Sequence, residues 1–229
     1  MFTSVIIPAA GAGERMGTPV SKQFLLLQGK PIIVHTIERF QACAAIDEII
    51  VAVHSSSREE VELLVREYRL SKVSKIVEGG RRRQDSVWNA IQHIDPRAEI
   101  VIVHDAVRPF IQQKLILASI DKALSDSAAV VAVRAKDTIK AGNDQGRFER
   151  TLDRSVLWMA QTPQTFRKQV LIDAYVHAGR ENIEGTDDAS FVERLNIRPA
   201  IVEGSFDNIK ITTPDDLEFA EVLARRFKD

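Results

Sequence analysis

"SVIIPAAGAGERMGTPVSKQF", residues 4–24, runs an apolar strand straight into a turn carrying three glycines, an arginine and a lysine. The run Val5–Ile7 has no polar alternation, which is the pattern of a strand buried on both faces. Gly11, Gly13 and Gly17 strip side-chain bulk from the following turn, so something comes close to that backbone. Arg15 and Lys22 imply that the visitor is negatively charged. The stretch reads as the first strand of a parallel sheet with an anion-binding loop beyond its carboxyl end.

The chain then repeats this plan. Apolar runs at 48–54, 74–79, 99–106 and 128–133 read as buried strands. Between them, 31–43, 57–69, 83–94 and 112–125 carry apolar residues at three- and four-residue spacing, with Pro31 and Ser57 as helix starts. Strand alternating with helix predicts a Rossmann-like open, mostly parallel sheet with helices on both faces. The alternation breaks near residue 135, where "AGNDQG" (141–146) punctuates short runs containing Thr, Ile and Phe. Residues 135–155 are expected to form a projecting β-hairpin arm that packs on a second subunit. Helices at 168–179 and 187–195, a strand at 198–204 and a helix from 213 complete one domain spanning 1–229.

Composition narrows the function. The 31 Lys and Arg balance 32 Asp and Glu for a net charge of −1, which gives no global attraction to nucleic acid or to an anionic membrane. No apolar run reaches the roughly 18 residues of a membrane span. A cytoplasmic location is expected, since the chain opens without a basic segment or cleavable apolar region. The single cysteine, Cys43, rules out an internal disulfide and reads as a core residue.

Two phosphate motifs fail at the opening loop. Five residues after Gly11 stands Met16, not the second glycine of a P-loop, and Gly17 arrives one residue late for a dinucleotide fingerprint. What remains is a turn, Ala10–Gly13, whose N–H groups face phosphate oxygens beside Arg15 and Lys22. In "VEGGRRRQDSVWNA" (77–90), Gly79 and Gly80 let a flat base approach the backbone while Ser86 supplies a hydrogen bond. Of the three arginines, only Arg83 is placed by the helix that follows. In "IVIVHDAVRPF" (101–111), the Asp105 carboxylate closing a buried strand needs a compensating cation, and a divalent metal is the expected one. His104 and Arg108 read as structural, Arg108 as the partner of a nearby acid.

"PAAGAGERMG", "SKQF", "EGGRRRQDSV", "HDAVRP", "LWMAQTPQTF", "GTDDAS" and "NIKITTPDDL" together, in this order, resemble the 2-C-methyl-D-erythritol 4-phosphate cytidylyltransferase family across nearly the whole chain. The resemblance implies a nucleotidyltransferase fold, Mg²⁺-dependent transfer of CMP from CTP to the polyol phosphate with release of pyrophosphate, and a homodimer with interlocking arms. It puts transition-state cations at Arg15 and Lys22. It assigns the substrate phosphate to Arg154 and Lys210, and further substrate contacts to Thr138 and Thr186. Gly80, Ser86 and Asp105 match nucleotide and metal positions. Val107 in "HDAVRP", with "GKPIIVHTIE" and "NIKITTPDDL", also resembles the sister ribitol-5-phosphate cytidylyltransferases. A non-catalytic nucleotide-binding domain is the rival class, and the presence of Lys22 and Asp105 weighs against it.

Overall fold

The computed structural model describes residues 1–11 and 21–226. In chain order its strands are β1 (Phe2–Ala9), β2 (Leu26–Leu27), β3 (Lys30–Pro31), β4 (Glu48–Val53), β5 (Val73–Glu78), β6 (Ala98–Val103), β7 (Ala128–Arg134), β8 (Lys140–Gly142), β9 (Phe148–Thr151), β10 (Trp158–Arg167) and β11 (Ala200–Glu203). The α-helices are α1 (Ile32–Gln41), α2 (Arg58–Glu67), α3 (Arg83–Ile91), α4 (Gln113–Asp126), α5 (Lys168–Arg180), α6 (Asp188–Glu193) and α7 (Pro214–Arg226).

Among the described residues, seven strands form one open sheet in the order β11-β7-β10-β6-β1-β4-β5. Every pairing is parallel except those of β10, which runs antiparallel to both β6 and β7. The apolar runs explain the sandwich. Odd residues of β1 and β4 (Val5, Ile7, Ile49, Val51) pack under α1, α2 and α4. Even residues (Ile6, Ile50, Ala52) pack under α3, α5 and α6. A strand covered on both faces has no solvent side, hence no polar alternation.

The strand β10 departs from the expected plan. Its sequence, "WMAQTPQTFR", contains Pro163, which argues against a central strand because proline donates no ladder hydrogen bond. The strand accommodates it at an irregularity, where the pairing with β7 shifts register between Ala160 and Gln164. The expected strand 99–106 also ends earlier, at Val103, leaving His104 and Asp105 in the turn.

Two smaller features aim the site. The sequence "TPDD" (213–216) starts α7 as a reciprocal cap. Asp216 Oδ2 accepts from Thr213 N–H at 2.9 Å, Thr213 Oγ1 accepts from Asp216 N–H at 3.3 Å, and Pro214 takes the first helical position. The inner face of α7 (Ala220, Leu223, Ala224) packs with Leu27, Ile32, Val107, Phe110 and Ile211. That cluster pins the 208–211 segment beside the β6 turn, where Ile211 N–H donates to Val107 O at 3.0 Å. The arm is the β8–β9 ribbon. Asn143 Oδ1 accepts from the N–H groups of Gln145 and Arg147, both at 3.1 Å, and Gly146 takes a positive φ of 72° to close the turn.

Candidate active site

The strand order reverses between β1 and β6: the chain builds β4 and β5 on one side of β1 and then returns to its other side. Ligands of open α/β sheets bind beyond the carboxyl ends of the strands at such a switch point. The carboxyl ends of β1, β5 and β6 deliver Ala10–Gly11, Gly79–Gly80 and Asp105 to that edge.

One cleft there is lined by Gly11, Lys22, Gly80, Ser86, Asp105 and Lys210, together with the three arginines at 81–83. Lys22 opens a short 3-10 turn, Lys22–Phe24, whose next residue fixes it to the sheet: the buried Gln23 amide donates to Ala9 O at 2.7 Å. Gly79 has no room for a side chain, because an added Cβ would stand 2.3 Å from Ala10 Cβ. The β1 and β5 loops therefore touch directly. Ser86, expected to face a base, lines the cleft and is itself buried. It accepts from Gly80 N–H at 3.0 Å and donates to Arg82 O at 3.2 Å, so it shapes the Gly–Gly turn.

A second cleft, lined by Thr162, Gln164, Thr186 and Asp187, shares Arg83, Asp105 and Lys210 with the first. Those three residues are a common wall. Asp105 Oδ1 lies 3.2 Å from Arg83 Nε, and Oδ2 lies 3.0 Å from Lys210 Nζ and 3.3 Å from Arg108 Nε. Burial alone would raise the Asp105 carboxyl. Arg83, Lys210 and Arg108 outweigh it and hold the group far below the usual carboxylate range. Arg83 reaches further, with Nη2 2.8 Å from Oδ2 of Asp188, a fully buried carboxylate whose Oδ1 accepts the Tyr175 hydroxyl at 2.6 Å. Burial works against the Arg83 charge, but Asp188 and Asp105 keep it firmly protonated.

This arrangement bears on two expectations, those for Asp105 and Arg83. Both Asp105 oxygens are already paired with cations, so a dication at Asp105 would have to displace them. Arg83 lines the nucleotide cleft while its Nε and Nη2 bridge two carboxylates. The other expected residues divide. Ala10, Gly11, Lys22, Gly79, Gly80, Ser86, Asp105, Thr186 and Lys210 converge on the two clefts or their turns. Thr138 and Arg154 sit exposed at the roots of the arm, with Arg154 Nη1 donating to Lys136 O at 2.8 Å. Ala12, Gly13 and Arg15 lie outside the described residues. A roomier groove, about 700 Å³, follows the edge strand β5. Its Arg58, Glu62, Lys75 and Glu78 are not buried, and it gathers no charged wall of this kind.

Sequence reasoning missed Asp188, Tyr175, Thr162 and Gln23. The pair "DD" in "GTDDAS" held a usable signal. Asp187 caps α6, accepting from Ser190 N–H at 2.9 Å, which leaves the next carboxylate inside an apolar helix and in need of a cation.

His104 is fully enclosed and edge-on to Phe40, with ring centroids 4.9 Å apart. Burial lowers it from the ordinary 6.5 to about 4. The unfolded chain therefore takes up this proton first as pH falls. The stabilisation is complete above about 6.5 and is lost as pH falls towards 4, about 3 kcal/mol in all. In urea unfolding at a series of pH values, the stability gap between the natural chain and His104→Gln should narrow from pH 7 to pH 4. A constant gap would show that the ring does not titrate with folding.

Known proteins resemble the chain over nearly its whole length. The family model for 2-C-methyl-D-erythritol 4-phosphate cytidylyltransferase matches residues 3–226. The cytidylyltransferase of that name from Syntrophus aciditrophicus is 45% identical over 225 residues, 96% of this chain and 95% of its own. That from Clostridioides difficile is 43% identical over 221 residues, 96% and 92% of the two chains. The crystal structure of the Francisella tularensis 2-C-methyl-D-erythritol 4-phosphate cytidylyltransferase superposes with a TM-score of 0.82 at 35% identity, covering 97% of this chain and 100% of that one. Val107, which raised the ribitol alternative, is a buried member of the cluster under α7, so its size answers to core packing. The ribitol reading is not favoured, and the chain belongs to the 2-C-methyl-D-erythritol 4-phosphate cytidylyltransferase family.

Proposed function

We propose that the chain transfers the cytidylyl group of CTP to 2-C-methyl-D-erythritol 4-phosphate, giving 4-diphosphocytidyl-2-C-methyl-D-erythritol and pyrophosphate. The observation that carries the reading is the shared wall: two clefts meet across Arg83, Asp105 and Lys210, so two anionic substrates can face each other across fixed charge. A phosphate oxygen of the polyol phosphate attacks the α-phosphorus of CTP in line. The new P–O bond forms as the bond to the β-phosphate bridging oxygen breaks, and that oxygen leaves with the electron pair as pyrophosphate. A phosphate dianion needs no general base, which suits a site whose nearest histidine, His104, is enclosed and neutral. Catalysis then rests on position and charge. Lys22 and Arg15 meet charge on the α-phosphorus and leaving group, while Lys210 and Arg154 hold the attacking phosphate. Mg²⁺, if bound here, would supply charge neutralisation on the triphosphate, and because the ion can keep most of its ligands as phosphates and water it would not require a protein cage.

The working form is proposed to be a cytoplasmic homodimer. A lone two-stranded ribbon is marginal in water. Here it exposes Phe148 (77%) and, at its root, Val156 (70%). Docked on a second copy, the arm would carry Thr138 and Arg154 to the partner's cleft.

Pyrophosphate release tests the reading. With CTP the methylerythritol phosphate should be turned over and ribitol 5-phosphate should not. The close contact of the Gly79 turn with Ala10 leaves a slot for a pyrimidine, so ATP should be used about 10²-fold less well than CTP. Comparable turnover with ATP would overturn the pocket assignment, and preference for ribitol phosphate would overturn the substrate.

A further inference from the structure

The proposed chemistry gives no role to two buried polar side chains beside the shared wall: Thr162, 4% exposed and lining the second cleft, and His104, wholly enclosed. Their hydrogen atoms follow by elimination. His104 Nε2 lies 3.1 Å from the Arg108 carbonyl oxygen, which can only accept, so Nε2 carries the ring proton. In the neutral ring Nδ1 is then a bare lone pair, and it takes the Thr162 hydroxyl hydrogen across 3.0 Å. With its hydrogen committed, Thr162 Oγ1 accepts from the Asp105 N–H at 3.1 Å. The Asp105 N–H, the threonine hydroxyl and the ring N–H thus each have one acceptor.

The same threonine reaches the other side of the wall. Its carbonyl accepts from Asn208 Nδ2 at 2.9 Å, and Asn208 O accepts from Arg108 Nη1 at 2.8 Å, two residues before Lys210. Thr162 therefore ties together the two segments whose side chains meet as the Asp105–Lys210 pair.

We propose that Thr162, oriented by His104, is a positioning residue of the nucleotidyl transfer: it fixes the Asp105 peptide, and through it the carboxylate that holds Lys210 and Arg83 between the two clefts. The proposal rests on the function proposed above, and its test separates the two. Thr162→Val keeps the shape, removes the hydroxyl and strands the Asp105 N–H. Its kcat/KM for the polyol phosphate should fall by about 10- to 100-fold, the scale of a small misplacement in a positioned site. Equilibrium binding of CTP should stay within about twofold, and Thr162→Ser should recover most of the loss because it restores the hydroxyl. A purely structural threonine would lower the melting temperature without separating the two substrates. Unchanged kcat/KM in Thr162→Val, or no rescue by serine, would overturn the proposal. The ¹⁵N resonances of the imidazole decide the relay without any assay. His104 should show a protonated Nε2 and a bare Nδ1, with Nδ1 moving in Thr162→Val. A protonated Nδ1, or an unmoved one, would overturn the relay. If the natural chain released no pyrophosphate at all, the function would fall, while the ring resonances would still confirm or overturn the relay.

Discussion

Asparagine in place of Asp105 is expected to cost the chain stability and activity together. The substitution keeps the shape but removes the charge that balances Arg83, Arg108 and Lys210. Breaking a buried pair by deleting one partner leaves unbalanced charge and costs about 3–5 kcal/mol. At this chain length that corresponds to a melting temperature lower by roughly 10 °C. Lys210 and Arg83 would lose their common anchor, and kcat/KM should drop by about 10²-fold or more. Thermal unfolding and steady-state kinetics on the one variant check both. If Asp105 served instead as a metal ligand, excess Mg²⁺ would recover part of the rate. No recovery is expected, and a clear one would restore the metal assignment. Full activity with a lowered melting temperature would reduce the carboxylate to a packing role.

The same residue shows how far the sequence alone could go. A carboxylate closing an apolar run needs positive compensation, and that much was legible at Asp105. The identity of the cation was not, because Arg83, Arg108 and Lys210 come from three different segments and only the fold brings them together. The sheet follows the same logic. The parallel strands β1, β4, β6 and β7 are short apolar runs and could be read within a few residues of their observed bounds; β5 could be placed as closely, but it is an edge strand with Ser74, Lys75 and Glu78 exposed and not the buried strand expected. The strand β10 could not. Its middle, Gln161–Thr165, is polar and contains Pro163, yet it is buried, because its side chains find partners far along the chain. Gln161 donates to Ser205 O at 2.9 Å, Gln164 to Asp187 at 2.7 Å, and Thr165 to Ser119 at 2.8 Å. A strand stabilised by long-range hydrogen bonds leaves no period in its own sequence. The resemblance did mark "LWMAQTPQTF" as part of the family pattern, but the physical reason for those polar residues appears only in the folded chain.

Lys22→Ala is expected to depress kcat by roughly 10²-fold or more, about 3 kcal/mol, the scale of losing one preorganised donor aimed at charge that grows in the transition state. The Lys22 turn is fixed to the sheet through Gln23, so the backbone that carries Lys22 is set before substrate arrives. The KM for the polyol phosphate should change little. Arg154→Ala should act on the other substrate, raising the KM for the polyol phosphate while leaving CTP binding nearly unchanged. If the arm serves the neighbouring subunit, the two defects lie in different chains of each site, and mixing the variants becomes informative. A mixed dimer holds one site with both lesions and one with neither. By the two-fold symmetry of such an interface, random re-association of equal amounts should return about a quarter of the natural activity, far above either variant alone when the polyol phosphate is held well below the raised KM of Arg154→Ala. No recovery, with mixed dimers shown to form, would place Lys22 and Arg154 in the same subunit's site and overturn the role proposed for the arm. A Lys22→Ala variant that kept its kcat and lost only CTP affinity would make the glycine turn a binding cradle instead of a catalytic one.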